Sequence, residues 1–393
     1  MSATNLSRVV RKLLFGVSLL AAAMWLPASE QWSGEGMLWR EPGRVPVLFV
    51  AGTPEAMGAA QGVLLKPEIH KMYERILLVA GGCLYMKNDW FFDRIAEVRK
   101  RSAAVMPKRF LRELDAMSIA AGLTVEQGRE INFFPEMFHC SGIAVRGRAS
   151  AGGKVIHARV LDYMRDIGIQ GMAVIQVFMP EGYHAWLSVG FAGFTGTVTA
   201  MNAEGLAMGE MGGRGEGDWD GLPMSYLMRR VMEECTTVDE ALELLKKTPL
   251  TCEYYYVLSD RSGNMAAVAT KAGTPPLILK PGEKSPLLCA AFDDIVWVTA
   301  PGRQPALSGR LREHYGKIDV EVMKRIITRP VAMKSNLQDA IFLPETLDVH
   351  FAYAGAKTLA CDEPYTHFNL RELIDFYRAA VRKRHAPSSA GTP

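Results

Sequence analysis

Residues 140–163 read CSGIAVRGRASAGGKVIHARVLDY, and their pattern decides the architecture. Ser141 to Arg146 alternates, Gly147 to Gly153 is a run of small and polar residues with three glycines, and Lys154 to Leu161 alternates again. Two alternating arms around such a run make a β-hairpin. Upstream, apolar residues recur at three- and four-residue steps through Ile69, Met72, Ile76 and Leu77, and again through Ile95, Val98, Ala103, Met106, Phe110, Leu111 and Leu114. That period predicts helices from about Glu55 to Phe138. Cys140 stands where the helical text ends and the extended text begins.

Outward from the hairpin, residues 30–50 read as extended, ending in the strand-like Val47 to Val50. Thr53 and Pro54 then open a helix as N-cap and first residue, and Gly58 and Gly62 let that helix pack closely on a neighbour. Thr124 and Gln127 form a capping-box pattern for a later helix. Beyond the hairpin, strands are expected at Met172–Met179, Tyr183–Val189, Gly196–Met201, Leu206–Glu210, Tyr254–Leu258, Met265–Thr270, Ile295–Thr299, Ala340–Leu343 and Val349–Tyr353. Helices are expected at Pro223–Glu234, at Val238–Lys247 behind a Thr237 cap, at Ser308–Tyr315 and at Val320–Ile327. Runs of strands separated by runs of helices favour an α+β arrangement, with helices segregated to the outer faces of the sheets, over a doubly wound parallel sheet.

The hairpin also carries chemistry. Cys140 opens it, and the returning arm brings Arg159 and Asp162. A thiol at the start of a strand, near a guanidinium and a carboxylate, is the arrangement expected of a nucleophile that becomes a new N-terminus by self-cleavage. The α-amine so freed has an unperturbed pKa of about 8 and can serve as general base for its own thiol, so no histidine base is needed. The other reading of Cys140 is a buried structural thiol, the commonest fate of a free cysteine.

Composition bounds the alternatives. The chain has 393 residues, 49% hydrophobic and 22% charged, with a net charge of +3. That is a globular composition, and the lack of long basic runs argues against nucleic acid as a partner. Six cysteines with no C-x-x-C pair, and eight histidines with no paired spacing, indicate neither a metal site nor a disulfide framework, and no cofactor is expected. Gly212 to Gly217 is glycine-rich, yet Glu216 and Asp218 would repel phosphate; it reads as a loop near the pocket mouth. Arg8, Arg11 and Lys12 precede the uncharged stretch Leu13–Leu26, which reads as a signal for export to the periplasm or the outside. Left uncleaved, residues 1–29 would anchor the chain to a membrane, facing outward. The last eight residues, 386–393, read as a disordered tail.

Four stretches, GTPEAMGAAQG (52–62), CSGIAV with GKVIHARVLDY (140–145, 153–163), FAGFTGTVTAMNAEGLAM (191–208) and YYYVLSDRSGNMAAVA (254–269), occur in an order that resembles the penicillin acyltransferase-like branch of the N-terminal-nucleophile (Ntn) hydrolases, relatives of isopenicillin N acyltransferase. The resemblance covers most of residues 45–370. It implies a four-layer αββα fold and autocatalytic cleavage between His139 and Cys140. The products would be a helical small chain, 30–139, and a catalytic chain, 140–385, held together as a heterodimer. It also implies a role for each site residue: Cys140 as nucleophile and, through its amine, base; Arg159 favouring the thiolate; Asp162 holding the amine; and Asn202 helping to bind the oxyanion. For Asn202 the residues themselves equally allow plain turn chemistry, because Asn-x-x-Gly is a common β-turn. Where relatives carry a further oxyanion asparagine, this chain has Ala300 followed by Pro301, and Arg303 is the nearby substitute as an oxyanion or substrate contact.

The expected activity is hydrolysis or transfer of the acyl group of a linear amide or acyl thioester, on an acylated small molecule. Two competitors are an exported binding protein that keeps the fold without the chemistry, and a papain-like cysteine protease. The protease is disfavoured because Cys140 opens a hairpin rather than a helix.

Overall fold

The computed structural model describes residues 28–82, 86, 91–133, 139–163, 165–213, 217–285, 288–289 and 292–386. The expected leader, the flank 134–138 of the expected cleavage site, residues 214–216 of the glycine-rich loop and the end of the tail lie outside the described residues, as does Cys83.

Two sheets face each other. The larger has ten strands in the order β1-β2-β3-β6-β7-β8-β9-β10-β11-β12, with β7 at Trp186–Phe191, β10 at Glu253–Asp260 and β11 at Met265–Lys271, and the smaller six, β13-β4-β5-β14-β15-β16, with β15 at Asp348–Tyr353. The hairpin expected around Cys140 is β4 (His139–Gly147) and β5 (Gly153–Asp162), the centre of the smaller sheet. Its neighbours are β13 (Ile295–Thr299) and β14 (Asn336–Leu343).

The sheets pack face to face, and glycines set how close they come. A Cβ at Gly142 on β4 would run into Met211 and Val257 of the larger sheet, and one at Gly209 on β9 (Leu206–Gly212) would collide with the side chain of Arg159 on β5. Helices cover the two outer faces. On the larger sheet lie α1 (Pro54–Leu64), with α4 (Lys108–Ala121) packed against it, α6 (Met224–Glu234) and α7 (Val238–Lys247); α2 (Lys66–Tyr73) and α3 (Phe91–Ala103) fall between α1 and α4 in the chain. Against the smaller sheet, α8 (Gln304–Glu313) and α9 (Val320–Ile327) bury Leu307, Leu311, Met323, Ile326 and Ile327 on Ile143, Val145, Ala158 and Val160. The order is helices, sheet, sheet, helices: the expected α+β sandwich of four layers.

Local signals explain the helix starts. Thr53 caps α1 through the Ala56 N–H with Pro54 at its first position, Thr237 and Glu240 form a full capping box for α7, and Thr124 and Gln127 exchange hydrogen bonds ahead of α5 (Val125–Phe133). Gly58 and Gly62 behave as read: a Cβ at either would strike the α4 backbone, at Glu113 and Met117.

The stretch read as extended ahead of α1 supplies β1 (Ser29–Ser33), β2 (Gly36–Arg40) and β3 (Val47–Gly52), so the N-terminal segment is helical only from Pro54 onward; β3 pairs parallel with β6 (Ala173–Pro180), which follows Cys140 in the chain, whereas every other named strand pair is antiparallel. Three further elements were not foreseen: β12 (Thr274–Leu279), β16 (Thr366–Asn369) and the terminal helix α10 (Leu370–His385). Among the described residues no helix is long and apolar enough to cross a membrane.

Candidate active site

Register brings three of the expected site residues to one end of the hairpin. Cys140 pairs with Leu161, Gly142 with Arg159, and His139 with Asp162. Side chains alternate across a strand, so Cys140 and Arg159 share the face turned to the larger sheet while Asp162 belongs to the opposite face.

On the inner face the Arg159 side chain is fully buried and its Nη2 donates to the Cys140 Sγ at 3.2 Å. The same guanidinium donates from Nε to the Glu210 carbonyl oxygen at 3.2 Å and from Nη2 to the Glu210 carboxylate at 3.3 Å. Burial pushes the Cys140 thiol up to about 12 in the uncut chain; Arg159 draws it down, and the carboxylates of Glu210 and Asp162 oppose that pull. The thiol is therefore neutral at neutral pH until a base lies beside it. Sequence reasoning missed Glu210, although an acid inside the apolar strand LAMGEMG (206–212) was a readable signal.

On the outer face Asp162 is ion-paired to Arg303 and accepts the Met333 N–H at 2.9 Å. Arg303 follows β13 in a 3-10 turn (Pro301–Arg303), and it is buried rather than solvated. It donates to the carbonyl oxygens of Val331 and Cys140, each at 2.9 Å. With these partners it is a clamp on the start of β4 rather than a free oxyanion donor. Beside it the Ser141 and Thr299 hydroxyls meet at 2.6 Å, tying β4 to β13. Farther out, the buried Asp339 accepts from Asn336 at 2.9 Å and from the Tyr365 hydroxyl at 3.1 Å. Burial pushes its carboxyl up to about 7, against the pull of the Asn336 hydrogen bond.

Asn202 does not join the site, which corrects the oxyanion role expected of it. At the end of β8 (Thr199–Asn202) its amide nitrogen donates to the carbonyls of Met232 at 3.0 Å and Cys235 at 2.8 Å, at the end of α6. Its oxygen accepts from the Glu204 and Leu206 N–H groups. All its hydrogen-bonding capacity is spent on the turn and the helix end, on the far side of the larger sheet. Turn chemistry, the other reading of Asn-x-x-Gly, is what the fold uses.

Ala300 directly follows β13. Val298 pairs with Gly142 and Thr299 with Ser141, so one further step sets Ala300 beside Cys140 and, by alternation, on the thiol's face. Its methyl offers no donor to an oxyanion there. Among the described residues no group of three or more His, Cys, Asp or Glu side chains could hold a metal ion.

Comparison with known proteins agrees with the resemblance seen in the motifs. The family model for acyl-coenzyme A:6-aminopenicillanic acid acyl-transferase matches residues 156–290, a span that takes in Arg159 and Asp162 and begins after Cys140. Protein dcd1B of Dictyostelium discoideum is 21% identical over 374 residues, covering 85% of this chain and 73% of that protein. The N-acylethanolamine-hydrolyzing acid amidase of Rattus norvegicus is 22% identical over 47% of this chain, which spans about half of that relative's length (52%). Among solved structures, the Caenorhabditis elegans N-acylethanolamine-hydrolyzing acid amidase ortholog aligns with a TM-score of 0.44 at 17% identity, covering 52% of this chain and 93% of that one. Penicillin V acylase from Agrobacterium tumefaciens aligns at 0.39 and 16%, covering 55% and 83%.

Proposed function

We propose, for a chain whose residues 156–290 match the acyl-coenzyme A:6-aminopenicillanic acid acyl-transferase family, that it is a self-processing cysteine Ntn enzyme which hydrolyses or transfers the acyl group of a linear N-acyl amide. The observation that carries this reading is the hydrogen bond from Arg159 to the Cys140 thiol at the head of a hairpin buried between two sheets. A guanidinium held on a thiol favours the thiolate and marks it as the reacting atom. The amidases among the relatives support an acylated small molecule as substrate, with the acyl chain on a small amine.

Maturation begins with the uncut chain. The Cys140 sulfur attacks the His139 carbonyl carbon, the thiol proton passes to the Cys140 nitrogen, and the C–N bond breaks as the thioester forms. Water then hydrolyses the thioester, releasing the His139 carboxylate and leaving Cys140 with a free thiol and α-amine. In turnover the amine takes the thiol proton, the sulfur attacks the substrate carbonyl, and the ammonium returns the proton to the leaving amine. Water or an acceptor amine then takes the acyl group from sulfur. The two fragments stay joined through the shared larger sheet, and the basic and apolar N-terminus directs the chain out of the cytoplasm.

Mass spectrometry of purified protein tests the first step. Wild type is expected as two fragments, the larger beginning at Cys140, while Cys140→Ala stays whole. Wild type and variant both uncut at that bond would sink the reading. For the second step, an acyl adduct on Cys140 should be trapped from a panel of chromogenic amides.

A further inference from the structure

The terminal helix α10 carries a groove along one side. Arg371, Asp375, Arg378 and Arg382 follow each other at steps of four, three and four, so they form one line on the helix. At 1.5 Å per residue that line is about 16 Å long. Two cavities open along it, and Arg378 is the residue they share. The first, about 440 Å³, lies between α10 and the turns that follow β6 and β8, with Tyr183, His184, Glu204 and Leu347 facing Arg371 and Arg378. The second, about 400 Å³, is lined by Ala51, Gly52, Tyr377 and Val381 together with Glu35, Arg378 and Arg382. Register makes them neighbours: Ala51 and Gly52 of the second pair with Met179 and Pro180 of the first, across the parallel seam of β3 and β6. The groove is polar at one end and mainly apolar at the other.

Its charges are unevenly spent. Glu204 lies 3.7 Å from the His184 Nδ1 and Glu35 lies 3.4 Å from the His385 Nε2, which leaves Asp375 as the third acid. Among the described residues, the guanidiniums of Arg371, Arg378 and Arg382 have no hydrogen-bond or ion-pair partner. A guanidinium fork of this kind fits one carboxylate in two-pronged geometry. The doubly charged phosphate of a monoester suits the groove less, because Asp375 and Glu204 repel the second charge.

We propose that this groove binds a long-chain carboxylate, its head on Arg378 between the flanking charges of Arg371 and Arg382, and its chain along Ala51, Tyr377 and Val381. Each cavity has the volume of a small-molecule site. The groove is separate from the thiol. Strand β14 starts at Asn336, which pairs with Asp162, and reaches Leu343 ahead of Leu347, seven steps or about 23 Å away. The choice of a carboxylate rests on the proposed hydrolysis, which releases one; the groove and its unspent guanidiniums do not. Because Ala51 and Gly52 precede Cys140 in the chain while Met179 and Pro180 follow it, the ligand touches both sides of the seam.

Titration calorimetry with sodium laurate, below its micellar concentration, tests this on wild type and on Cys140→Ala. Laurate should bind both, and its uncharged methyl ester and chainless acetate about tenfold more weakly or less. Losing a hydrogen bond to a charged group should weaken laurate about tenfold in Arg378→Gln, an exposed position where the fold is not at stake. Val381→Asp, which puts a charge at the apolar end, should weaken it too. Laurate held at the Cys140 site instead would be indifferent to Arg378, and equal affinity of wild type and Arg378→Gln overturns the proposal. So does laurate binding no better than its methyl ester, or lauryl phosphate binding better than laurate. Arg378-dependent binding in a protein that turns over no amide upholds the groove and removes only the reaction; amide turnover without laurate binding removes the groove alone.

Discussion

Arg159 and Arg229 are both fully buried, and they differ in what their nitrogens do. Arg229 on α6 donates from Nε to Glu233 at 2.8 Å and from Nη1 to Glu113 at 3.0 Å and the Thr195 carbonyl at 2.8 Å, and its Nη2 completes a two-pronged pair with Glu113. Its plane lies over the rings of Phe110, Phe178 and Trp186. Arg159 has one carboxylate, a backbone carbonyl and a thiol, with Nη1 left over. A guanidinium whose every donor ends on a fixed acceptor can only hold structure; one with donors to spare, aimed at sulfur, can respond to a change of charge there. Arg229 and Glu113 also come from opposite sides of the Cys140 bond, so the saturated pair ties the two segments together.

The largest effect is expected from breaking the saturated site. Arg229→Met leaves Glu113 buried without its counter-ion and Glu233 with Arg109 alone, and should cost about 3–5 kcal/mol. Urea unfolding in an uncut Cys140→Ala background measures it, and an unmoved midpoint would mean that the pair holds nothing. Next, Arg159→Lys keeps the charge but loses the fork, and turnover should fall by about a hundredfold at near-normal stability. Unchanged turnover would take Arg159 out of the site.

The unsaturated side can be sharpened as well as damaged. Ala300→Asn places a donor on the thiol's face and should raise acyl transfer by roughly tenfold, since one well-aimed oxyanion donor is worth up to about a hundredfold. A flat response across amides and thioesters would place the oxyanion hole elsewhere, on backbone N–H groups.

The smallest effect on turnover belongs to Asp339, whose two oxygens are both engaged. Its folded pKa is raised to about 7, well above its unfolded value of about 3.9. Between those values the native state keeps a proton that the unfolded state has released, so its contribution to stability falls as pH rises from about 4 to 7, by at most about 1.4 kcal/mol per unit. Asp339→Asn should flatten that slope and leave turnover alone. A rate loss in that variant would break the rule that saturated charges are structural.

Much of this was legible because period and punctuation are local. The hairpin that Cys140 opens, the Thr53, Thr124 and Thr237 caps and the close glycines of α1 could all be read from a few adjacent residues. What escaped depended on distance or direction. Strand β12 carries Pro275 and Pro276 near its start, a composition that argues against a strand in sequence and is tolerated on an edge. Asn202 was read as the turn residue after the right strand, but where its side chain goes depended on α6, whose end supplies its acceptors. Arg303 was read only as an oxyanion or substrate contact because its partner Asp162 lies 141 positions away. Glu210 was passed over for the same reason: nothing nearby in sequence announces Arg159 as its counter-ion.

The parallel pairing of β3 with β6 has a consequence for the order of events in this protein's life. Strand β3 precedes the Cys140 bond, β6 follows it, and each supplies hydrogen bonds the other cannot find elsewhere in the sheet. That seam closes only while a continuous chain keeps its two halves at high local concentration. A cut made before closure would leave two pieces with open edges searching for each other in dilute solution, exposed to every other strand nearby. Under the proposed self-processing, a thiol that reacts only when the hairpin is seated between the sheets would avoid this. The severed bond would then be a timestamp, present only on molecules that had already closed the seam.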